Sequence, residues 1–315
     1  MGGELIVVAL GGNAFIQKGQ KPTMENQWAN TYIAARQIVE MVTRGYRVVV
    51  THGNGPQVGN VLEWMEALKD KIPPLTMDVA TAMTQGWLGY MLQQAIGNEL
   101  EKRGLPRKVV ALVNQVEVSP DDPAFREPTK YIGPYYTDEV VVKRLMEERG
   151  WAMKRDPRGG WRRVVPSPDP LSNIEIDAVR KLVDEGYIVI ASGGGGVPVA
   201  RVNGGFKGLE AVIDKDLAGE RLATSIGAAR LIILTDVEGV YIDYKGPKQK
   251  LLRRLSLAEA EKLYFNKKAF PAGSMGPKVL ACIRFLRNGG RIAAIGHLYK
   301  AIQVLEGNSG TIITP

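Results

Sequence analysis

The chain is poor in the residues that cross-link, chelate or attack. Its 315 residues include one cysteine, Cys282, and two histidines, His52 and His297. A single thiol excludes an intrachain disulfide. Its place in the helical pattern PKVLACIRFL assigns it a small, buried apolar role. That usage fits a reducing setting, and a cytoplasmic location is the expectation. So few imidazoles and thiols leave a zinc site little to draw on. His52 ends an apolar run beside Gly53 and reads as a hydrogen-bonded histidine that shapes a turn, not as a base. Signature motifs are missing too. No GK[ST] occurs, so there is no Walker A loop. GxGxxG fails at 193–198, where the sixth residue is Pro198. Neither HRD nor DFG is present, which excludes a protein kinase, and no GxSxG points to a hydrolase.

Long hydrophobic runs are also lacking. The stretch Val79 to Leu100 is rather apolar but carries Gln85, Gln93, Gln94, Asn98 and Glu99. It reads as a buried or interface helix, and no membrane association is expected. MGGELIVVALGG has no basic start followed by a cleavage site, so no signal peptide is expected. Ile6 stands where a myristoylation motif needs Ser or Thr.

What is present is charge of one sign and a substantial core. Lys plus Arg total 41 against 33 for Asp plus Glu, a net charge of +8, while 45% of residues are hydrophobic. Such a field attracts anions, from nucleic acid to small phosphates. The densest basic run, KRDPRGGWRR at 154–163, reads as a solvated turn between two strands. A nucleic-acid site needs a basic stripe with stacking aromatics, whereas NELEKRG and VKRLMEERG alternate their charges. No nucleic-acid partner is expected.

Strand-like and helix-like runs alternate over most of the chain. The pattern predicts an α/β fold: an open three-layer sandwich with a central, mostly parallel sheet. Strands are expected at 5–10, 46–52, 108–118, 187–191, 231–235, 291–295 and 311–314. Helices are expected at about 25–43, 57–70, 78–103, 173–185, 216–228, 256–264 and 277–288. Between 119 and 170 the texture turns rich in proline and turn residues, with one helical run at 138–149. This segment reads as an irregular insertion, a subdomain that protrudes from the main sheet.

In open α/β sheets, ligands gather at the carboxyl ends of the strands. Four successive exits are bare backbone or small polar groups: ALGGNA with Gly11, Gly12 and Asn13; THGNGPQ with Gly53, Asn54 and Gly55; ASGGGG with Gly193, Gly194, Gly195 and Gly196; and LTDVEG with Asp236. Three Gly-rich turns on one rim predict a cleft where backbone amides meet an anion such as phosphate. Three lysines stand nearby. Lys215 lies between Asp214 and Asp216 before a helix, Lys278 follows GSMGP at another helix start, and Lys130 sits in EPTKYIGP on the insertion. Asp214 is expected to orient the Lys215 ammonium and Asp216 to cap the helix. Phosphoryl transfer asks mainly for such positive charge and for in-line positioning.

At this point the chain resembles the carbamate kinases, within the amino acid kinase superfamily. The resemblance runs nearly end to end. Its most specific pieces are ALGGNA, THGNGPQVG, LTMDVATAMTQGW, DPAFREPTKYIGP, GWRRVVPSPDP, ASGGGGVPV, AVIDKDLAGE, ILTDVEG and AGSMGPKVLA. It implies reversible phosphoryl transfer between ATP and carbamate, giving ADP and carbamoyl phosphate, with Mg²⁺ held mainly by phosphate oxygens and no dedicated protein metal site. It implies a homodimer whose N-terminal lobe, 1–187 with the subdomain at about 119–170, binds carbamate. The C-terminal lobe, 188–315, binds nucleotide. By match of motif, Lys130, Lys215, Lys278 and Asp214 are catalytic. Gly11, Gly12, Asn13, Gly53, Asn54 and Gly55 hold the substrate. Gly193, Gly194, Gly195, Asp236, Tyr241, Tyr244, Gly273, Ser274, Met275, Gly276 and Pro277 hold nucleotide. Two alternatives stand beside this reading: a related kinase acting on another small carboxylate, and a nucleotide-binding regulator without turnover, against which the intact lysine set speaks.

Overall fold

The computed structural model describes residues 2–17, 19–156, 159–266, 270 and 275–315. Its centre is the strand Leu5–Leu10, all six residues of which are buried. Ile6, Val8 and Leu10 join one apolar cluster, and Leu5, Val7 and Ala9 join the other. A strand packed on both faces has no polar side to show, which is why this segment is continuously apolar.

Eight strands form the main sheet, in the spatial order Arg254–Ser256, Thr311–Thr314, Ile292–His297, Arg230–Thr235, Leu5–Leu10, Arg47–His52, Ile188–Ile190 and Val109–Ala111. All neighbours run parallel except the pair Ile292–His297 and Thr311–Thr314. Helices cover both faces. Ala34, Ile38, Leu88, Leu92 and Ile96, from helices Met24–Thr43 and Met77–Lys102, pack on one side. Val179, Leu222, Val279 and Cys282, from helices Ile176–Asp184, Lys215–Ser225 and Met275–Arg287, pack on the other. The expected three-layer α/β architecture is therefore present. The strand Ile188–Ile190, which begins the expected C-terminal lobe, lies between Arg47–His52 and Val109–Ala111, both from the N-terminal part of the chain.

Three expectations are corrected. The run 108–118 is two strands, not one. Val109–Ala111 ends the main sheet, and Gln115–Val118 enters a second, four-stranded sheet with Val197–Val202, Gly205–Gly208 and Pro170–Asn173. The break falls at Asn114, fully buried, whose side chain accepts from Ser192 N at 2.6 Å. The second correction concerns 119–170, which is not irregular. Lys130–Tyr136, Trp161–Val165 and Met153–Arg155 make a three-stranded antiparallel sheet beside the helix Glu139–Arg149. Gly133 and Pro134 inside Lys130–Tyr136, with a register shift between Ile132 and Tyr136, masked that strand in the sequence. The helix predicted from 173 starts at Ile176, because Pro170–Asn173 is extended and its Asn173 side chain donates to Ser192 Oγ at 2.8 Å.

Helix starts follow local signals. Asp138 caps the helix Glu139–Arg149, and Ser256 with Glu259 forms a capping box. Among the described residues no helix is long and apolar enough to cross a membrane.

Candidate active site

Two parallel neighbours, Leu5–Leu10 and Arg47–His52, end side by side and deliver the turns 11–13 and 53–55 to one rim. The amides of Gly11 and Gly53 are not free: they donate to Leu234 O at 2.9 Å and Leu10 O at 3.0 Å. Those of Gly12, Asn13, Asn54 and Gly55 make no hydrogen bond among the described residues. Four unengaged amides on two adjacent turns form a concave donor surface suited to an anion. Gly53 serves space instead. A Cβ there would stand 2.9 Å from Lys215 Cδ and 3.5 Å from Gly12 N, so its bareness lets the lysine stem cross the turn.

The lysines converge from three remote segments. Lys215 opens the helix Lys215–Ser225, and its ammonium donates to Asp216 Oδ1 at 2.5 Å. Lys278, in the helix Met275–Arg287 and 4% exposed, donates to Asp216 Oδ2 at 2.9 Å. Lys130 donates to Asp214 Oδ2 at 2.8 Å. This reverses the aspartate assignment expected from sequence. Asp214 is the helix cap, accepting from Asp216 N at 2.9 Å, and its other oxygen takes Lys130. Asp216 is the buried carboxylate shared by Lys215 and Lys278. The physical reason is helix geometry. Asp214 precedes the first turn, where a cap belongs, whereas Asp216 lies within it and faces inward.

Burial and charge oppose each other throughout this cluster. Burial pushes the Lys215 ammonium below its usual range, helped by the like charge of Lys278 and opposed by Asp216. Burial acts on Lys278 the same way, but Asp216 outweighs it and holds that ammonium above the usual range. Burial would raise both carboxyls. The field of Lys130, reinforced by those of Lys215 and Lys278, overrides this at Asp214, and Lys215 with Lys278 does so at Asp216, so both stay ionised. Lys130, Lys215 and Lys278 thus meet over Asp214 and Asp216, and positive charge held partly out of water acts strongly on an incoming anion.

The four-glycine turn has a different explanation from the one expected. Gly193 to Gly196 are all buried, and a Cβ on each would strike, in order, His52, Asn54, Ile213 and Val116. The amides of Gly195 and Gly196 bond Ser192 O and Gly193 O, whereas those of Gly193 and Gly194 make no hydrogen bond among the described residues. Here side chains are absent mainly so that the protein can close on itself. Ser192 carries the strain of φ 52° and is held by Asn114, Asn173 and Thr51. Gln85 completes the clasp, donating to Gly193 O at 3.0 Å and to Asn114 O at 3.1 Å. Gln85, Asn114 and Asp216 were not among the expected site residues. The signal for Gln85 was an amide in a helix that reads as buried. Asn54 donates to Thr84 Oγ1 at 2.8 Å, which fixes the second turn against the same helix.

Asp236 follows the strand Arg230–Thr235, is exposed, and contributes to raising the Lys278 pKa, which places it near that ammonium. Tyr241 and Tyr244 form their own pair, ring centroids 5.6 Å apart. Met275, Gly276 and Pro277 begin the helix that carries Lys278, whereas Gly273 and Ser274 lie outside the described residues. His52 is buried and held near pKa 4 by burial, its Nδ1 lying 3.2 Å from Gly53 O. It is neutral near pH 7 and shapes the turn, as its position in the sequence predicts.

Residues 4–297 match the family model described as the amino acid kinase family. The chain is 55% identical over 314 residues to the carbamate kinase of Pyrococcus horikoshii, with 99% of each chain covered. It is 44% identical over 312 residues to carbamate kinase 2 of Enterococcus faecalis, again with 99% of each covered. Among solved structures, carbamate kinase from Giardia lamblia bound to AMP-PNP superposes with a TM-score of 0.91 at 40% identity, covering 99% of this chain and 98% of that one.

Proposed function

This chain belongs to the amino acid kinase family, and from that membership we propose that its site moves a phosphoryl group between ATP and carbamate, in either direction, with ADP and carbamoyl phosphate as the other pair. The observation that carries this reading is the meeting of Lys130, Lys215 and Lys278 over two carboxylates, beside the free amides of Gly12, Asn13, Asn54 and Gly55. Carbamate is small and offers little surface for binding, so oriented amides suit it. Its oxygen is already anionic, so attack on the γ-phosphorus needs no general base. The amides and Lys130 hold the carbamoyl side. Lys215 and Lys278 neutralise the equatorial oxygens of the migrating group, in line between acceptor and leaving oxygen. Asp216 keeps the two ammonium groups apart and aimed.

A nucleotide places Mg²⁺ in the site. Phosphate oxygens would supply most of its ligands. Asp236, a hard oxygen donor at the strand end, fits as a protein contribution. The ion supplies charge neutralisation at the phosphates. The turns 11–13 and 53–55 support a carbamate site built by the N-terminal part of the chain. Asp236 and the helix bearing Lys278 support a nucleotide site built by the C-terminal part, with Tyr241 and Tyr244 as candidates for the base. A homodimer is supported by the exposed apolar groups Trp64, Val79, Met83 and Tyr90 on the helices Gly55–Leu68 and Met77–Lys102. A cytoplasmic setting is part of the same proposal.

The deciding experiment mixes the protein with carbamoyl phosphate, ADP and Mg²⁺ and follows ATP. Absence of ATP while circular dichroism reports a folded chain ends the proposal.

A further inference from the structure

A cavity of about 270 Å³ lies between the helix Gly55–Leu68 and the three-stranded sheet, and phosphoryl transfer makes no use of it. One edge is set by Gly59 against Gly133. A Cβ on Gly59 would stand 3.3 Å from Gly133 Cα, and the φ of +66° at Gly133 suits only glycine readily. Leu62, Ile132, Pro134 and Trp151 give the cavity apolar walls.

Of its three charged side chains, Arg163 and Glu63 make no ion pair among the described residues. Arg162 and Arg163 are neighbours on the strand Trp161–Val165 and so point to opposite faces. Arg162 is fully used: it donates to Gly133 O at 2.8 Å and 3.0 Å and pairs with Asp156 at 3.1 Å. Arg163 lines the cavity with its guanidinium 4.5 Å over the Trp151 ring. No hydrogen bond or ion pair reaches it among the described residues. Burial holds its pKa below the ordinary arginine value, which marks a cation partly stripped of water. Glu63, also in the lining, is exposed and has no ion pair among the described residues, whereas neighbouring Glu66 is occupied by Lys69 at 2.6 Å and Arg149 at 3.2 Å. The fields of Glu210 and Glu66 reach the Arg163 guanidinium and oppose the burial effect, but neither carboxylate bonds it, and a half-desolvated guanidinium without a bonded anion gains from a ligand that supplies one.

We propose that this cavity binds a free α-amino acid with an apolar side chain, its carboxylate on Arg163, its ammonium towards Glu63 and its side chain against Trp151 and Ile132. A pure anion meets the acidic wall, and a pure cation meets Arg163. Only a zwitterion answers both charges, and only an apolar body fills the remaining wall. The volume sits near the lower bound of small-ligand pockets and suits a molecule of leucine's size. The strand that lines the cavity, Lys130–Tyr136, begins with Lys130. Occupancy therefore couples to the reach of that lysine, a consequence that rests on the proposed function, whereas the binding itself does not.

The test is isothermal titration calorimetry on the full chain, without nucleotide or carbamoyl phosphate. The probes are L-leucine, L-phenylalanine, leucinamide and 4-methylpentanoate. The two amino acids bind with millimolar or tighter affinity. Each single-charge analogue binds at least about tenfold more weakly, as does leucine to Arg163→Met or Glu63→Gln. Glu63 is exposed, so its variant decides the matter if Arg163→Met fails to fold. No heat at about 10 mM amino acid, analogues that bind as well as leucine, or variants with parental affinity overturn the proposal.

Discussion

Lys130 and Asp214 are separated by 84 positions in the chain and meet at 2.8 Å. The pair ties the three-stranded sheet to the cap of the helix Lys215–Ser225. Lys130 is one-third exposed, so the contact contributes little to stability and is easily exchanged for a substrate oxygen.

Lys130→Ala should therefore leave stability within about 1 kcal/mol of the parent in urea denaturation. In the ATP-forming direction its effect falls on carbamoyl phosphate, raising that KM well above any change for ADP. Equal losses for both substrates contradict a grip on the acyl phosphate.

Lys215→Ala removes a charge that faces the migrating group. Turnover should drop by about 10²–10³ with the circular dichroism spectrum retained. Parental turnover in this variant takes Lys215 out of the mechanism.

Asp216→Asn leaves two buried ammonium groups with no carboxylate between them. Loss of one partner of a buried ion pair costs about 3–5 kcal/mol, measurable by urea denaturation at pH 7. The folded carboxyl titrates below its unfolded value of 3.8, so its contribution is full above that pH and is lost as pH falls further. A variant as stable as the parent refutes the shared-carboxylate arrangement.

Gly194→Ala and Gly55→Ala separate packing from binding. At Gly194 the φ of +67° and the Asn54 side chain both oppose a methyl group, and the backbone strain alone costs about 1–2 kcal/mol. Nothing stands within 4 Å of a Cβ on Gly55, the first residue of its helix, so that variant should fold as well as the parent but use carbamoyl phosphate poorly. A lower melting temperature for Gly55→Ala than for Gly194→Ala inverts the assignment.

His52 gives a pH signature. Its folded pKa of about 4 lies below the unfolded 6.5, so the unfolded chain binds the proton more readily. The stability from neutral His52 is complete above pH 6.5 and falls by about 1.4 kcal/mol per unit as pH drops towards 4. Denaturation between pH 7 and 4.5 should show this slope, and His52→Gln should lose it. An identical slope in the variant assigns the effect elsewhere.

Much of this molecule is legible in one dimension. The run LIVVAL is apolar at every position because both faces of the central strand are covered. The turns ALGGNA and THGNGPQ lie where parallel strands must end together, and Lys130, Lys215 and Lys278 stand out beside tight turns. Periodicity, caps and turn residues are local properties, so the sequence by itself determined the layers and the places of most main-sheet strands and their covering helices.

The tertiary structure decided how those charges are paired. Asp214 and Asp216 look interchangeable around Lys215. Helix geometry makes Asp214 the cap, but only the arrival of Lys130 from 84 positions away and of Lys278 from 62 gives Asp214 its ion pair and makes Asp216 a shared counter-ion. The four glycines at 193–196 looked like a ligand cradle, yet the groups that fill their space come from residues 52, 54, 116 and 213. Arg162 and Arg163 are alike in sequence, and only the pleat sends one to Gly133 O and the other into a cavity. Contacts between distant segments depend on how whole elements pack, and no local pattern along the chain carries that information.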